Sequence, residues 1–379
     1  MRRPPPLSAL ALLLCALGLA PAMALAQSAP AAEAAPGTAA PVNAPANAFP
    51  YYSAEQAMQG LYGHHLPPLA AAFEAQAQAL AGSAARHCQG QAPLAELRAQ
   101  WRQTLLAWQS LSTPAVGPVV QRRSQRQIDF WPTRPELLRK ALEKAPQTLP
   151  DMDRVGTPAK GFPALERLLF ATSAAPAATR LDAPTCTYVL LSARAIVVEA
   201  QALKTALDTL AAQDWAASPE ATGTAMAEWV NQWLAGLERL RWAHIGKPIQ
   251  SHQTSGKGGA IAFPRQTPEH NLADWRAQWQ SLRAQARLSP TQRQTPPEPG
   301  QALVPLEALL IGKGQLALAQ RWAQALDRAD AGLAQLQPQS GPRELQALTA
   351  TLQAVTVLFQ NEVAAALDIP LGFSDADGD

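Results

Sequence analysis

The stretch Pro93-Leu94-Ala95-Glu96-Leu97-Arg98-Ala99-Gln100-Trp101-Arg102-Gln103-Thr104-Leu105-Leu106-Ala107-Trp108-Gln109-Ser110-Leu111 decides the fold class. Its large apolar residues at 94, 97, 101, 105, 108 and 111 recur in alternating steps of three and four. That spacing keeps them on one face of a 3.6-residue helix, and Pro93 suits a first helical position, where its missing N–H is not needed. The same seam returns at Met226, Trp229, Trp233, Leu237 and Leu240, at Leu272, Trp275, Trp279 and Leu282, and at Leu345, Leu348, Leu352, Val355 and Phe359. Strand-like alternation is hard to find anywhere. The pattern therefore predicts an all-α protein built from two packed antiparallel helical bundles.

Breaker-rich segments at 112–118, 145–160, 246–268, 289–302 and 337–342 read as connections between these helices. The longest holds Ser255-Gly256-Lys257-Gly258-Gly259, which lacks the Gly-x-x-x-x-Gly-Lys-[Ser/Thr] spacing of a P-loop. Leu94–Trp101 echoes Leu272–Trp279, and Pro163-Ala164-Leu165-Glu166 is loosely echoed by Pro305-Leu306-Glu307, a hint of internal duplication. The expected division is a helical domain over residues 50–216 and a second over 217–379.

Arg2 and Arg3 precede an apolar run from Leu7 to Leu19, followed by Ala24-Leu25-Ala26, so residues 1–26 read as a secretory signal peptide and the mature chain as periplasmic. Cys15 lies in mid-run after Leu14, a poor context for lipidation. Residues 27–49, mostly Ala, Pro, Ser and Asn, read as a flexible leader. No later stretch promises a membrane span. Loss of Arg2 and Arg3 lowers the 31 basic residues to 29, equal to the 29 acidic ones. A neutral chain with no basic run lacks the footprint of a nucleic-acid binder. Processing leaves two cysteines, Cys88 and Cys186, and in an oxidising compartment such a pair reads as a structural disulfide.

Signatures of hydrolases are missing: there is no His-Glu-x-x-His and no Gly-x-Ser-x-Gly. Of the six histidines, His64 and His65 read as a solvated turn, His87 as a bystander to Cys88, and His244 as an inward-facing residue near Lys247. Arg126-Gln127-Ile128-Asp129-Phe130-Trp131 combines a fork-shaped donor, an acceptor and a flat wall, the parts of a small polar ligand site or of a helix cap. Gly161-Phe162-Pro163-Ala164-Leu165-Glu166 reads as a helix start, with Glu166 near its positive end. A histidine at 163 would share a helix face with Glu166 and could join it on a metal, whereas proline offers no donor.

Taken in order, these segments resemble the imelysin-like family over nearly all of the mature chain. They are Ile128–Pro132, Gly161–Glu166 with Pro163 where the family's Gly-x-His-x-x-Glu signature has histidine, Cys186 with Tyr188, Lys247-Pro248, and the ending Leu367–Asp379. The resemblance implies two helical domains with a site between them, an envelope location, association with iron uptake, and a metallopeptidase label. Carried onto this chain, it gives Gly161 and Glu166 as the retained parts of the signature, Pro163 as the departure, and Asp129 and Trp131 in the neighbouring motif; with Arg126, Phe162, His244 and Lys247 these make up the expected ligand-binding residues, with no catalytic and no metal-ligating residue. Arg126 is the expected partner of the Glu166 carboxylate. The expected function is a periplasmic binding or accessory protein of iron acquisition. A metallopeptidase and a structural envelope scaffold are the alternatives. The ligand is open, with iron or another divalent metal among the candidates, and the expected partners are envelope iron-uptake components. Asp375-Ala376-Asp377-Gly378-Asp379 resembles the start of a calcium loop, cut off before its later ligands.

Overall fold

The computed structural model describes residues 48–170, 180–256 and 259–372. The signal peptide, Cys15, most of the leader and the acidic tail lie outside the described residues. Among the described residues there is no strand. The helices that matter here are α1 (Leu66–Cys88), α2 (Leu94–Ser112), α3 (Ser124–Ile128), α4 (Gly161–Phe170) and α5 (Ala183–Ala211). They are followed by α6 (Pro219–Glu238), α7 (Pro268–Ala286), α8 (Leu306–Gly312), α9 (Leu316–Gln335) and α10 (Pro342–Leu358). The all-α expectation holds.

Proline starts many of these helices. It occupies the first turn of α1, α5, α6, α7 and α10, where its fixed φ is already helical and no hydrogen bond is lost. Side-chain caps complete three of those starts: Asp182 accepts from the Thr185 amide, Ser218 from that of Ala221, and Thr267 from that of His270.

Every residue of the four seams read from the sequence is buried. The α1 helix packs along α2 and α5, α2 lies against α7, and α9 pairs with α10. The two helices whose sequences echo each other, α2 and α7, are thus direct neighbours. Trp233 stacks on Phe359 with ring centroids 5.0 Å apart and meets Trp322 edge-on at 5.2 Å. One apolar core contains Trp101 and Trp108 together with Trp229, Trp233 and Trp322, so the halves before and after residue 217 share it.

Cys88 at the end of α1 and Cys186 in the first turn of α5 form the expected disulfide, with Cα atoms 5.6 Å apart. Because the bond joins the end of one helix to the start of the other, α1 and α5 run antiparallel. By length and composition α5 could cross a membrane, although it carries Arg194 and Glu199 and 56% of its apolar window is buried within the fold. It is a core helix of this bundle.

Two local features depart from the sequence reading. The segment 246–268 is not one long connection, because Lys247–Ser255 is helical. Three helices also contain wide turns with i→i+5 hydrogen bonding, at Gln59–His65, Arg239–Gly246 and Phe359–Val363. Such turns re-aim side chains within a continuing helix. The second carries Arg239 and His244.

Candidate functional site: a buried polar centre between the two halves

Gly161 is required by geometry. It has φ +67°, and a Cβ there would stand 2.0 Å from the carbonyl oxygen of Ile128. Only glycine lets α4 begin hard against the end of α3. This contact brings Asp129, the residue after α3, close to the helix that carries Glu166. The Trp101 indole donates to the Phe162 carbonyl at 3.2 Å and ties the start of α4 to α2. Pro163 is buried in the first turn of α4, where its ring supplies packing and no donor.

Glu166 is fully buried. Its Oε1 accepts from the His270 Nδ1 at 2.7 Å and from the Gln266 amide at 3.0 Å. Its Oε2 is buried with no hydrogen-bond partner. The His270 ring is held between Trp101 and Phe170, with centroids at 5.1 and 4.5 Å.

Asp129 is the second carboxylate. It takes a two-pronged bond from Arg265, Nη1 to Oδ1 at 2.7 Å and Nη2 to Oδ2 at 2.9 Å, and Oδ2 also accepts from Trp108 and Gln109. Arg265 reaches across to a third carboxylate, Asp274, at 3.2 and 3.3 Å. Gln278 donates both to Asp274 at 3.1 Å and to the His244 Nδ1 at 3.0 Å, leaving its own buried Oε1 unpartnered.

Charge is unbalanced here. Three carboxylates face the Arg265 guanidinium, with Arg239 near enough to Asp129 to interact electrostatically. Burial raises the Asp274 carboxyl to about 6 in spite of Arg265. Burial, reinforced by Arg239 and Arg265, lowers His244 to about 3, so this imidazole stays neutral at ordinary pH. Burial also brings Arg239 down to about 10. Both atoms left without partners, Glu166 Oε2 and Gln278 Oε1, are acceptors. The centre as built leaves these two acceptors unmet, and among the described residues the Arg239 guanidinium makes no hydrogen bond to them.

The sequence-predicted residues divide into two groups. Asp129, Gly161, Phe162, Pro163, Glu166 and His244 belong to the centre or frame it. Arg126 is exposed and does not reach Glu166, so the expected Arg126–Glu166 pair is replaced by His270 and the Gln266 amide. Trp131 is half-buried outside the rings that flank His270, and Lys247 is exposed. Sequence reasoning missed Arg265, His270, Asp274 and Gln278. The last three follow one another at four-residue steps on α7, a polar stripe beside the apolar seam of the same helix, and that spacing was the available signal.

A model of the imelysin family, whose name carries the peptidase M75 label, matches residues 66–368. The chain belongs to the imelysin family. It is similar in fold to an imelysin-like protein of Psychrobacter arcticum 273-4, with TM-score 0.65 and 22% identity over 85% of this chain and 98% of that one. It is also similar to a candidate iron-regulated protein A precursor of Parabacteroides distasonis ATCC 8503, with TM-score 0.64 and 14% identity over 85% and 97% of the two chains. No curated protein gives a significant match.

The metal implied by the peptidase label does not fit this imelysin's residues. Among the described residues no group of three His, Cys, Asp or Glu could hold a metal ion. Pro163 offers no donor atom, and one oxygen of Glu166 is already taken by two donors. What remains is one carboxylate oxygen and one amide oxygen, short of the three protein ligands of a hydrolytic zinc site.

Proposed function

We propose that this imelysin is a periplasmic binding or accessory protein of iron acquisition that performs no catalysis. Its buried polar centre accepts a small ligand bearing hydrogen-bond donors or positive charge. The unpartnered Oε2 of the fully buried Glu166 carries this reading. A buried carboxylate oxygen with no donor is costly, and a ligand's ammonium, amide or hydroxyl group would supply one. The unpartnered acceptor of Gln278 favours the same ligand chemistry. The irregular segment 259–267 provides Arg265 and the Gln266 amide to two of the carboxylates. Envelope location is supported by the Cys88–Cys186 bond and by the signal-like first 26 residues, and the iron link by the family and by the iron-regulated relative.

The test has two readouts. A strain lacking the protein is complemented with wild type or Glu166→Gln and grown under iron limitation, while the purified mature proteins are assayed for metal. Restoration by wild type and not by Glu166→Gln, with less than one metal ion per chain, is expected. Equal rescue by both would remove Glu166 from function, and a stoichiometric metal lost in the variant would replace the donor ligand with a metal centre.

A further inference from the structure

A second recess lies outside the polar centre and is formed by the first half of the chain alone. It is a cleft of about 220 Å³ lined by Arg122, Gln127, Ile128, Met152, Asp153, Lys160, Gly161, Ser192, Ile196 and Glu199 among others. That is below the roughly 300–1,000 Å³ typical of drug-sized sites. Its occupant is therefore small.

Two polar groups in the wall lack partners. Ser192 is 1% exposed, and its Oγ makes no hydrogen bond. The Lys160 ammonium makes no ion pair or hydrogen bond among the described residues, and burial lowers its pKa, with only Asp153 acting in the opposite sense. Of the other charges in the wall, Glu199 is already satisfied. Glu199 receives Nε and Nη2 of Arg122 at 3.0 and 2.7 Å and the Ser124 hydroxyl at 2.5 Å. Asp153 is exposed. The partnerless Lys160 ammonium and Ser192 hydroxyl can both donate, whereas the atoms left over in the polar centre are acceptors. Ile128, Met152 and Ile196 add an apolar wall.

We propose that this cleft binds a small aliphatic carboxylate, whose oxygens accept from the Lys160 ammonium and the Ser192 hydroxyl and whose short chain lies on Ile128, Met152 and Ile196. A carboxylate there would pair a half-buried cation and satisfy a buried hydroxyl at once. The signature segment then has two faces: Gly161 lines the anion cleft, and Glu166 lies in the donor-seeking centre.

Isobutyrate is the probe, with isobutyramide as its neutral counterpart, and binding is read by saturation-transfer NMR on the mature protein. Wild type should show isobutyrate signals and no isobutyramide signals. Lys160→Met should abolish them, Lys160→Arg should keep them, and Ser192→Ala should weaken affinity several-fold. Circular dichroism checks the fold of each variant; because the Ser192 hydroxyl has no protein partner, Ser192→Ala should melt no lower than wild type. Glu166→Gln should bind isobutyrate normally, which separates this cleft from the polar centre. Absence of isobutyrate signals from wild type at millimolar probe, or their survival in Lys160→Met, overturns the proposal.

Discussion

Glu166 of α4 and His270 of α7 meet at 2.7 Å, Oε1 to Nδ1, across the two halves of the chain. With the Gln266 amide on the same oxygen, this contact fastens the start of α7 and the segment before it to the signature helix. Glu166→Ala strands the buried His270 donor and the Gln266 amide and opens a void, so it should destabilise by about 3 kcal/mol. Glu166→Gln keeps an acceptor carbonyl and should cost less. Urea melts of the two variants at pH 7 check the order; equal losses would mean that the charge, and not the acceptor, holds the contact.

Gly161→Ala tests the frame. Its Cβ would be driven to within 2.0 Å of the Ile128 carbonyl at a φ of +67°, so the ends of α3 and α4 must separate. A loss of about 3 kcal/mol or more is expected. Asp129 should move away from Arg265 as a consequence. Crystal structures or amide-exchange rates around Asp129 would show it, and a variant as stable as wild type would refute the close approach.

The fold was legible because its signal is distributed. Each helix repeats its apolar residues many times over, as in the Leu94–Leu111 seam, and a few misread positions leave the period intact. The polar centre depends on single contacts between residues far apart in sequence. Glu166 and Asp129 stood out because they sit in compact motifs. Arg265 did not, because it falls between a glycine-rich stretch and the start of α7, and nothing local shows that its guanidinium crosses to Asp129. Arg126 was the nearest arginine in sequence, and distance along the chain proved a poor guide to which cation a buried carboxylate finds. The anion cleft was equally invisible, since Lys160 and Ser192 come from separate elements and neither belongs to a motif.

Arg265→Met removes the guanidinium shared by Asp129 and Asp274. Breaking one member out of a buried ion cluster typically costs about 3–5 kcal/mol, because the partners keep their charge without compensation. The double variant Arg265→Met with Asp274→Asn should recover part of that loss, since one stranded carboxylate is then gone. Denaturation of the single and double variants measures the coupling, and simple additivity would mean that Asp274 does not belong to the cluster.

Reducing the Cys88–Cys186 bond frees a loop of 98 residues between α1 and α5. In the chain-entropy model such a closure contributes about 4.7 kcal/mol. Cys88→Ala with Cys186→Ala should therefore lower the midpoint of denaturation sharply while the fold survives, because α1 and α5 still pack along their length. Comparing the variant with wild type, oxidised and reduced, checks it: reduced wild type should match the double variant.

The last prediction concerns acid. Burial lowers His244 from its ordinary 6.5 to about 3, with Arg239 and Arg265 adding to the effect. The unfolded chain therefore takes up a proton at this residue below pH 6.5, whereas the folded chain waits until about 3. Stability from this group is fully present above 6.5 and drains away as the pH falls toward 3. By pH 5 the loss attributable to His244 is about 1–2 kcal/mol. Asp274 acts in the opposite sense. Its carboxyl is raised from 3.8 to about 6, so its contribution is full below 3.8 and is lost as the pH rises through 6. Between these limits the two groups partly cancel in the wild type. His65, which burial lowers to about 4, adds to the acid sensitivity. His244→Gln removes one side of the balance: the variant should lose less stability than wild type between pH 7 and pH 5. Urea midpoints at pH 7, 6 and 5 for both proteins decide the matter, and parallel curves would show that His244 titrates in the folded protein much as it does in water.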